Sequence, residues 1–368
     1  MNALAYSLTL RWVSTISGPV LLLLLLACAG CKARVIEDTP ASSSGNALKV
    51  YLWEDSIPEP VFDEFTRQTG IPIQADTFGQ LEELIERVRK EPSRYDLITP
   101  SDYALKMLDD DGLLRSLPAE CTALRDQISE RFRHPWYDPE LRHCLPYQWS
   151  LTGLAYNKTR VTNPPRSWAD LFDPGRCQAW AGRVSLLDDA REVLGVAILA
   201  SGHAGVSTSD AAVLLQAEAK VRGILPYISR LDSEHYEEGL VSGALWIAQG
   251  YNGDLARAQH HHPEIEYVIP KEGAILSVDN LAIPSGAQQV AAASRFMAFL
   301  LQPAIARRIT SAQGLGSTIK DGTTVGGDLP LDEEIVYGLP APERTYLLKQ
   351  RGAEAAAEDT IWKAVREL

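Results

Sequence analysis

Residues 48–103 read LKVYLWEDSIPEPVFDEFTRQTGIPIQADTFGQLEELIERVRKEPSRYDLITPSDY, and the periodicity of this stretch decides the fold class. Leu48 to Trp53 reads as a strand. Pro58 to Thr69 then reads as a helix, with Val61, Phe62 and Phe65 on one face and Gly70 as its stop. Ile71 to Thr77 alternates as a second strand, and Leu81, Leu84, Ile85 and Val88 return to helical spacing. Tyr95 to Thr99 is a third short strand, ended by Pro100. Strand–helix–strand–helix–strand predicts an α/β fold, a mainly parallel sheet flanked by helices. Ligands of such sheets sit at the carboxyl ends of the strands. Here those ends carry Trp53-Glu54-Asp55 and Pro100-Ser101-Asp102-Tyr103.

Downstream, Cys121 to Pro146 is a proline-dotted loop region and Gln148 to Asn157 reads as a strand. A second block opens with a helix at Trp168 to Phe172 and the strand Val184 to Leu187. The acidic turn Asp188 to Glu192 leads to a helix from Val193. Ala244 to Gln249 and Glu266 to Ile269 read as further strands. After Asp279, the strand Leu281 to Ile283 precedes a long helix, Ala287 to Leu301. His260-His261-His262, before Pro263, reads as a solvated loop rather than a metal site.

The first residues stand apart from this pattern. Met1 to Pro19 carry one charge, Arg11, before the leucine run Leu21 to Leu26, Ala27 and Cys28. That order describes a secretory signal, too short for a stable membrane span. Leu25-Leu26-Ala27-Cys28 resembles a bacterial lipobox, which implies lipidation of Cys28; Cys31, after Gly30, is the alternative. Lys32 to Asn46 reads as a flexible tether. The length beyond the tether suits two lobes better than one core. The expected division is 1–27 signal, 28–46 tether, 47–150 with about 279–324 as one lobe, and 151–278 with about 325–368 as the other.

Formal charge is −13, and removing residues 1–27 deletes one arginine and no acid, giving −14. This balance disfavours nucleic acid and suits a cationic ligand. Export permits disulfides, and Cys121 and Cys144, flanking one loop-rich stretch, are expected to pair. No cysteine or histidine spacing suggests zinc, and no cofactor motif is evident.

Several segments together resemble the bacterial spermidine/putrescine-binding proteins of polyamine ABC transporters. They include Val50-Tyr51-Leu52-Trp53, Tyr95 to Ser101, Ser167 to Phe172, Leu187 to Val193, Gly250-Tyr251-Asn252-Gly253-Asp254 and Asp279 to Pro284. The resemblance implies a two-lobed periplasmic binding protein fold with an interlobe hinge. It implies a monomer that captures a polyamine between the lobes, delivers it to a permease and has no catalytic activity. It places the ligand against Trp53, Asp55, Ser101, Tyr103, Asp189, Glu192, Tyr251, Asp254 and Asp279. Trp149 matches a packing tryptophan near the lobe junction. Ser56, Ser277 and Leu315 stand where aromatic residues are usual, so the carboxylates are better kept than the rings.

The chemistry suits such a ligand. Buried ammonium groups need carboxylates spaced to them, and aromatic faces serve both methylenes and cations. Five of these residues also have a plainer role: Trp53 as core, Asp55 and Asp254 as helix caps, Asp189 with Glu192 as a capping pair. A polyamine sensor using the same cleft, and a glycoside hydrolase working through paired carboxylates, are the competing functions. Lipidation predicts that the protein fractionates with membranes and that Cys28→Ser releases it. A freely soluble native protein with an intact Cys28 would contradict that reading.

Overall fold

The computed structural model describes residues 47–320, 338–349 and 353–367; the signal, the tether, Cys28 and Cys31 lie outside the described residues. Strand β1 (Leu48–Trp53) lies between β2 (Ile73–Phe78) and β3 (Leu97–Ile98) and is parallel to both. The crossovers are α1 (Glu59–Thr69) and α2 (Leu81–Lys90). Gly70 closes α1 in the left-handed region, φ 71°, and donates its N–H to Thr66 O, a role that suits a residue without Cβ. The buried stripe of α2 is the predicted Leu81, Leu84, Ile85 and Val88. Helix α3 (Asp102–Asp110) starts directly after β3 and Ser101.

Between α3 and the next strand come α4 (Ala119–Thr122) and two 3-10 turns. Strand β4 (Cys144–Asn157) follows, then α5 (Trp168–Leu171) and α6 (Pro174–Cys177). A second parallel group centres on β5 (Val184–Leu186), with β6 (Ile228–Leu231) on one side and β7 (Ile247–Tyr251) on the other. Its helices are α7 (Ala190–Ala200), α8 (Ala211–Ile224), α9 (Tyr236–Val241) and α10 (Asn252–His261). Every residue of α7 is buried, which places this helix inside the molecule rather than on its surface.

Two strands stitch the groups together. Residues Cys144 to Leu151 of β4 pair with β9 (Ala274–Ala282), and from Thr152 onward β4 pairs with β7 and with β8 (Ile265–Val268), all antiparallel. Strand β9 continues the sheet to β3 through Ile98 and Ala282. The strand order is β2-β1-β3-β9-β4-β7-β5-β6. Helices α11 (Val290–Leu300) and α12 (Pro303–Gln313) lead to β10 (Gly316–Ser317) on β4, and β11 (Thr345–Tyr346) pairs with β9. Trp149 is buried, donates to Ser317 O at 3.2 Å, and lies so close to Gly316 that a Cβ there would stand 1.9 Å from the indole.

Several expectations need correction. Strand β4 begins at Cys144 rather than Gln148, because Pro146 is accommodated where the register slips from Pro146↔Asn280 to Gln148↔Asp279. Helix α7 begins at Ala190, since Asp189 caps it, and Asp279 lies within β9 rather than before it. His260 and His261 form the last turn of α10, not a loop. The expected bridge between Cys121 and Cys144 is absent: both are buried free thiols, as is Cys177. Cys121 points at Met297 of α11, with 3.9 Å between the sulfurs. The backbone at Cys144 is held elsewhere, by Asp138 Oδ2 at 3.2 Å. Each thiol has its own buried partners, Ser294 and Met297 for Cys121 and Asp138 for Cys144, so the loop between them is closed by packing and hydrogen bonds. Thiol titration of the denatured protein cut back to residue 47 should therefore find all three cysteines reactive without reductant; one reactive thiol would restore the disulfide.

Candidate functional site

The carboxyl ends of β1 and β3 face the same end of β9. Asp279 of β9 forms an isolated bridge with Ser101. Ser101 Oγ donates to Asp279 Oδ1 at 2.5 Å, and Trp53 Nε1 donates to Ser101 Oγ at 3.2 Å. The Trp53 ring packs on Phe78, with centroids 4.6 Å apart, and stays partly exposed. Asp279 is only half-buried by exposure, yet loss of water around it pushes its pKa up to about 6 despite the hydrogen bonds from Ser101 and Trp53.

Next to Ser101, Asp102 is 1 % exposed. One carboxylate oxygen accepts the Tyr103 N–H at 2.8 Å, while Oδ2 has no hydrogen-bond partner. Burial raises its pKa well above the usual range, and the charge of Asp279 adds to the shift.

The second parallel group supplies the opposite wall. Asp189 Oδ1 accepts the N–H groups of Arg191 and Glu192 at 2.8 and 3.0 Å, so the plainer capping role is real. Glu192 does not complete a capping box. Its side chain turns inward, 3 % exposed, and accepts from Thr152 Oγ1 at 2.6 Å. Burial raises the pKa of both acids; the Asp189 charge, and beyond it Asp102, push Glu192 further. Tyr251 ends β7 opposite Thr152, where its environment includes Glu192, Asp189 and Tyr103.

Arg191 connects the walls. It pairs with Glu82 of α2 at 2.8 Å and with Asp359 of the last described helix, Ala353–Arg366, at 3.2 Å. Its guanidinium lies 5.0 Å from the centroid of the Tyr103 ring, whose hydroxyl also donates to Glu82.

Trp53, Ser101, Tyr103, Asp189, Glu192, Tyr251 and Asp279 are thus brought together. Asp254 and Asp55 are placed differently. Asp254, inside the first turn of α10 and not its cap, pairs with Arg257 at 2.6 Å and accepts from the Tyr236 hydroxyl. Asp55 is exposed in a turn at φ 52° and does not cap α1, whose cap is Pro58. Sequence reading missed Asp102, Thr152 and Arg191 as part of the site. Asp102 and Arg191 were adjacent to predicted residues; nothing in the sequence marked Thr152, whose role comes from pairing beside Tyr251.

Two parallel-sheet lobes joined by antiparallel crossing strands, with polar groups gathered where the lobes meet, define a two-lobed solute-binding protein. Residues 61–324 match the family described as bacterial extracellular solute-binding protein, and the chain belongs to that family. It is 30% identical over 303 residues to the putrescine-binding periplasmic protein SpuD of Pseudomonas aeruginosa, covering 78% of this chain and 81% of the relative. It is 28% identical over 293 residues to spermidine/putrescine-binding periplasmic protein 1 of Haemophilus influenzae, covering 79% and 80%. The crystal structure of the TpPotD lipoprotein of Treponema pallidum superposes with TM-score 0.79 at 26% identity, over 88% of this chain and 100% of that one.

The raised pKa of Asp279 fixes a sign. An unfolded aspartate titrates near 3.9, so between about 4 and about 6 the folded protein holds a proton that the unfolded chain has released. Stability contributed by this proton is present below that window and is lost as pH rises through about 6. Asp279→Asn should therefore raise the melting temperature of the ligand-free protein at pH 7, with the gain shrinking toward pH 4. A lower melting temperature at pH 7 would mean that the carboxylate stabilises the empty protein.

Proposed function

We propose that this protein captures a polyamine-type cation, of the putrescine or spermidine kind, between its lobes and delivers it to an ABC permease. The observation that carries the reading is the convergence of Asp102, Asp189, Glu192 and Asp279. Among the described residues, the interactions that shape Asp102, Glu192 and Asp279 include no lysine or arginine. Arg191, beside Asp189, is already engaged by Glu82 and Asp359. Buried carboxylates without a counter-charge are costly, and a cationic ligand removes that cost. The relatives described as binding putrescine and spermidine support the same chemistry.

In this reading Asp279 holds one ammonium, with Ser101 fixing its carboxylate. Asp189 and Glu192 hold the other. Trp53, Tyr103 and Tyr251 flank the methylenes. Asp254, tied to Arg257, acts behind Tyr251 through Tyr236, whose hydroxyl also accepts the Tyr251 N–H at 3.1 Å. Asp55 stands at the mouth, where its charge attracts cations at longer range. The lobes meet at about 150/151 and 278/279, a division supported by the change of partner along β4 after Leu151. The protein works as a monomer in the periplasm, held to the membrane through lipid on Cys28, and carries its ligand without turnover.

Calorimetric titration with diamines and triamines tests this. The wild type should bind, and Asp279→Asn should weaken binding more than about a hundredfold, the effect of stripping one partner from a buried charge pair. Asp254→Asn, because Arg257 already neutralises that carboxylate, should cost less than about tenfold. Absence of any amine binding by the wild type would refute the function.

A further inference from the structure

Gln148 lies directly opposite Asp279 across the β4–β9 pair. Opposed residues of an antiparallel pair project from the same face, with Cβ atoms about 5 Å apart. Asp279 faces Ser101 in the same way on its other side. Gln148, Asp279 and Ser101 therefore form one row across the sheet, with Trp53 hydrogen-bonded at its end. The slip of register at Tyr147 immediately precedes this row, and such bulges re-aim neighbouring side chains.

The Gln148 side chain is 2 % exposed. Its Nε2 donates to Ser56 O at 3.4 Å. This contact sets the amide orientation, because the flipped amide would press Oε1 against a carbonyl oxygen. Oε1 is then a buried acceptor without a partner. An apolar side chain of similar size would fill the position without that cost. Next to Ser101 in the chain, Asp102 Oδ2 is a second buried acceptor without a partner, and the charge of Asp279 acts on it.

Asp279 thus has one unpartnered acceptor, Gln148 Oε1, on the residue opposite it, and its charge reaches a second, Asp102 Oδ2. A primary ammonium carries three N–H donors and no acceptor, so it complements this set; each N-methyl group removes one donor. Resting on the function proposed above, we propose that Gln148 is a specificity-determining residue that selects a primary ammonium at the Asp279 end of the ligand. The amide oxygen accepts one N–H while Asp279 supplies the charge.

The test compares 1,4-diaminobutane with its N,N′-dimethyl and N,N,N′,N′-tetramethyl derivatives by calorimetry, in wild type and Gln148→Met. The wild-type affinity should fall with each added methyl. Gln148→Met should weaken diaminobutane by about tenfold or more, the usual loss for a hydrogen bond to a charged group, and flatten the methylation series. A merely structural glutamine would weaken all three amines alike, and an unchanged slope overturns the assignment. A second measurement needs no variant: the Gln148 side-chain amide resonances of the wild type should shift on titration with diaminobutane, and unmoved resonances in a protein that binds the diamine also overturn it. A wild type that binds none of the three amines overturns the function proposed above, and is thereby told apart from failure of the Gln148 assignment.

Discussion

Like charges held close together out of water are the constraint on which this structure turns. Asp102, Asp189, Glu192 and Asp279 each sit where solvent is reduced, and each is pushed toward its protonated form mainly by that burial. A core built for stability alone would avoid such a cluster. The backbone offers partial relief: Asp189 accepts two helix N–H groups and Asp279 accepts from Ser101. The remainder is uncompensated in the empty site, and in the proposed function a cationic ligand would relieve it.

The fold delivers these acids to one place through two strands. One end of β4 belongs to the β9 side and the other to β7 and β8, so Gln148 and Thr152 stand four residues apart on one strand yet serve opposite walls. Arg191 supplies the contrasting case. It is 6 % exposed, but Glu82 and Asp359 pair with it and Tyr103 stacks beneath it. A planar guanidinium can satisfy several partners at once, and here those partners come from α2, α3 and the last described helix. Asp188 strengthens the same corner by accepting from Trp362 at 3.1 Å and pairing with Arg366 at 3.1 Å.

Local pattern made the fold legible. The stripe of α2, the glycine stop of α1 and the parallel β1–β3 group all follow from periodicity and one turn residue. Errors fell where tertiary contacts decide. Nothing local reveals that Pro146 lies within a strand, because the slip of register that admits it depends on β9. The two cysteines looked paired because the stretch between them lacked pattern, yet Asp138 and Met297 already occupy their surroundings. Among the residues the resemblance pointed to, Asp189, Glu192 and Asp279 lie among the same group of buried carboxylates. The resemblance could not show that Asp254 has its own arginine, nor that Gln148 meets Asp279, since strand register alone creates that pair.

Proton release on ligand capture measures the central claim most directly. If a cation takes over the neutralisation of buried carboxylates, carboxyl protons must leave when it binds near the pKa of Asp279, about 6. Calorimetry of diamine binding at pH 6, in buffers of different ionisation enthalpy, reads that number. The account predicts net release of a substantial fraction of a proton, reduced in Asp279→Asn. Binding with no proton release, or with uptake, would contradict it.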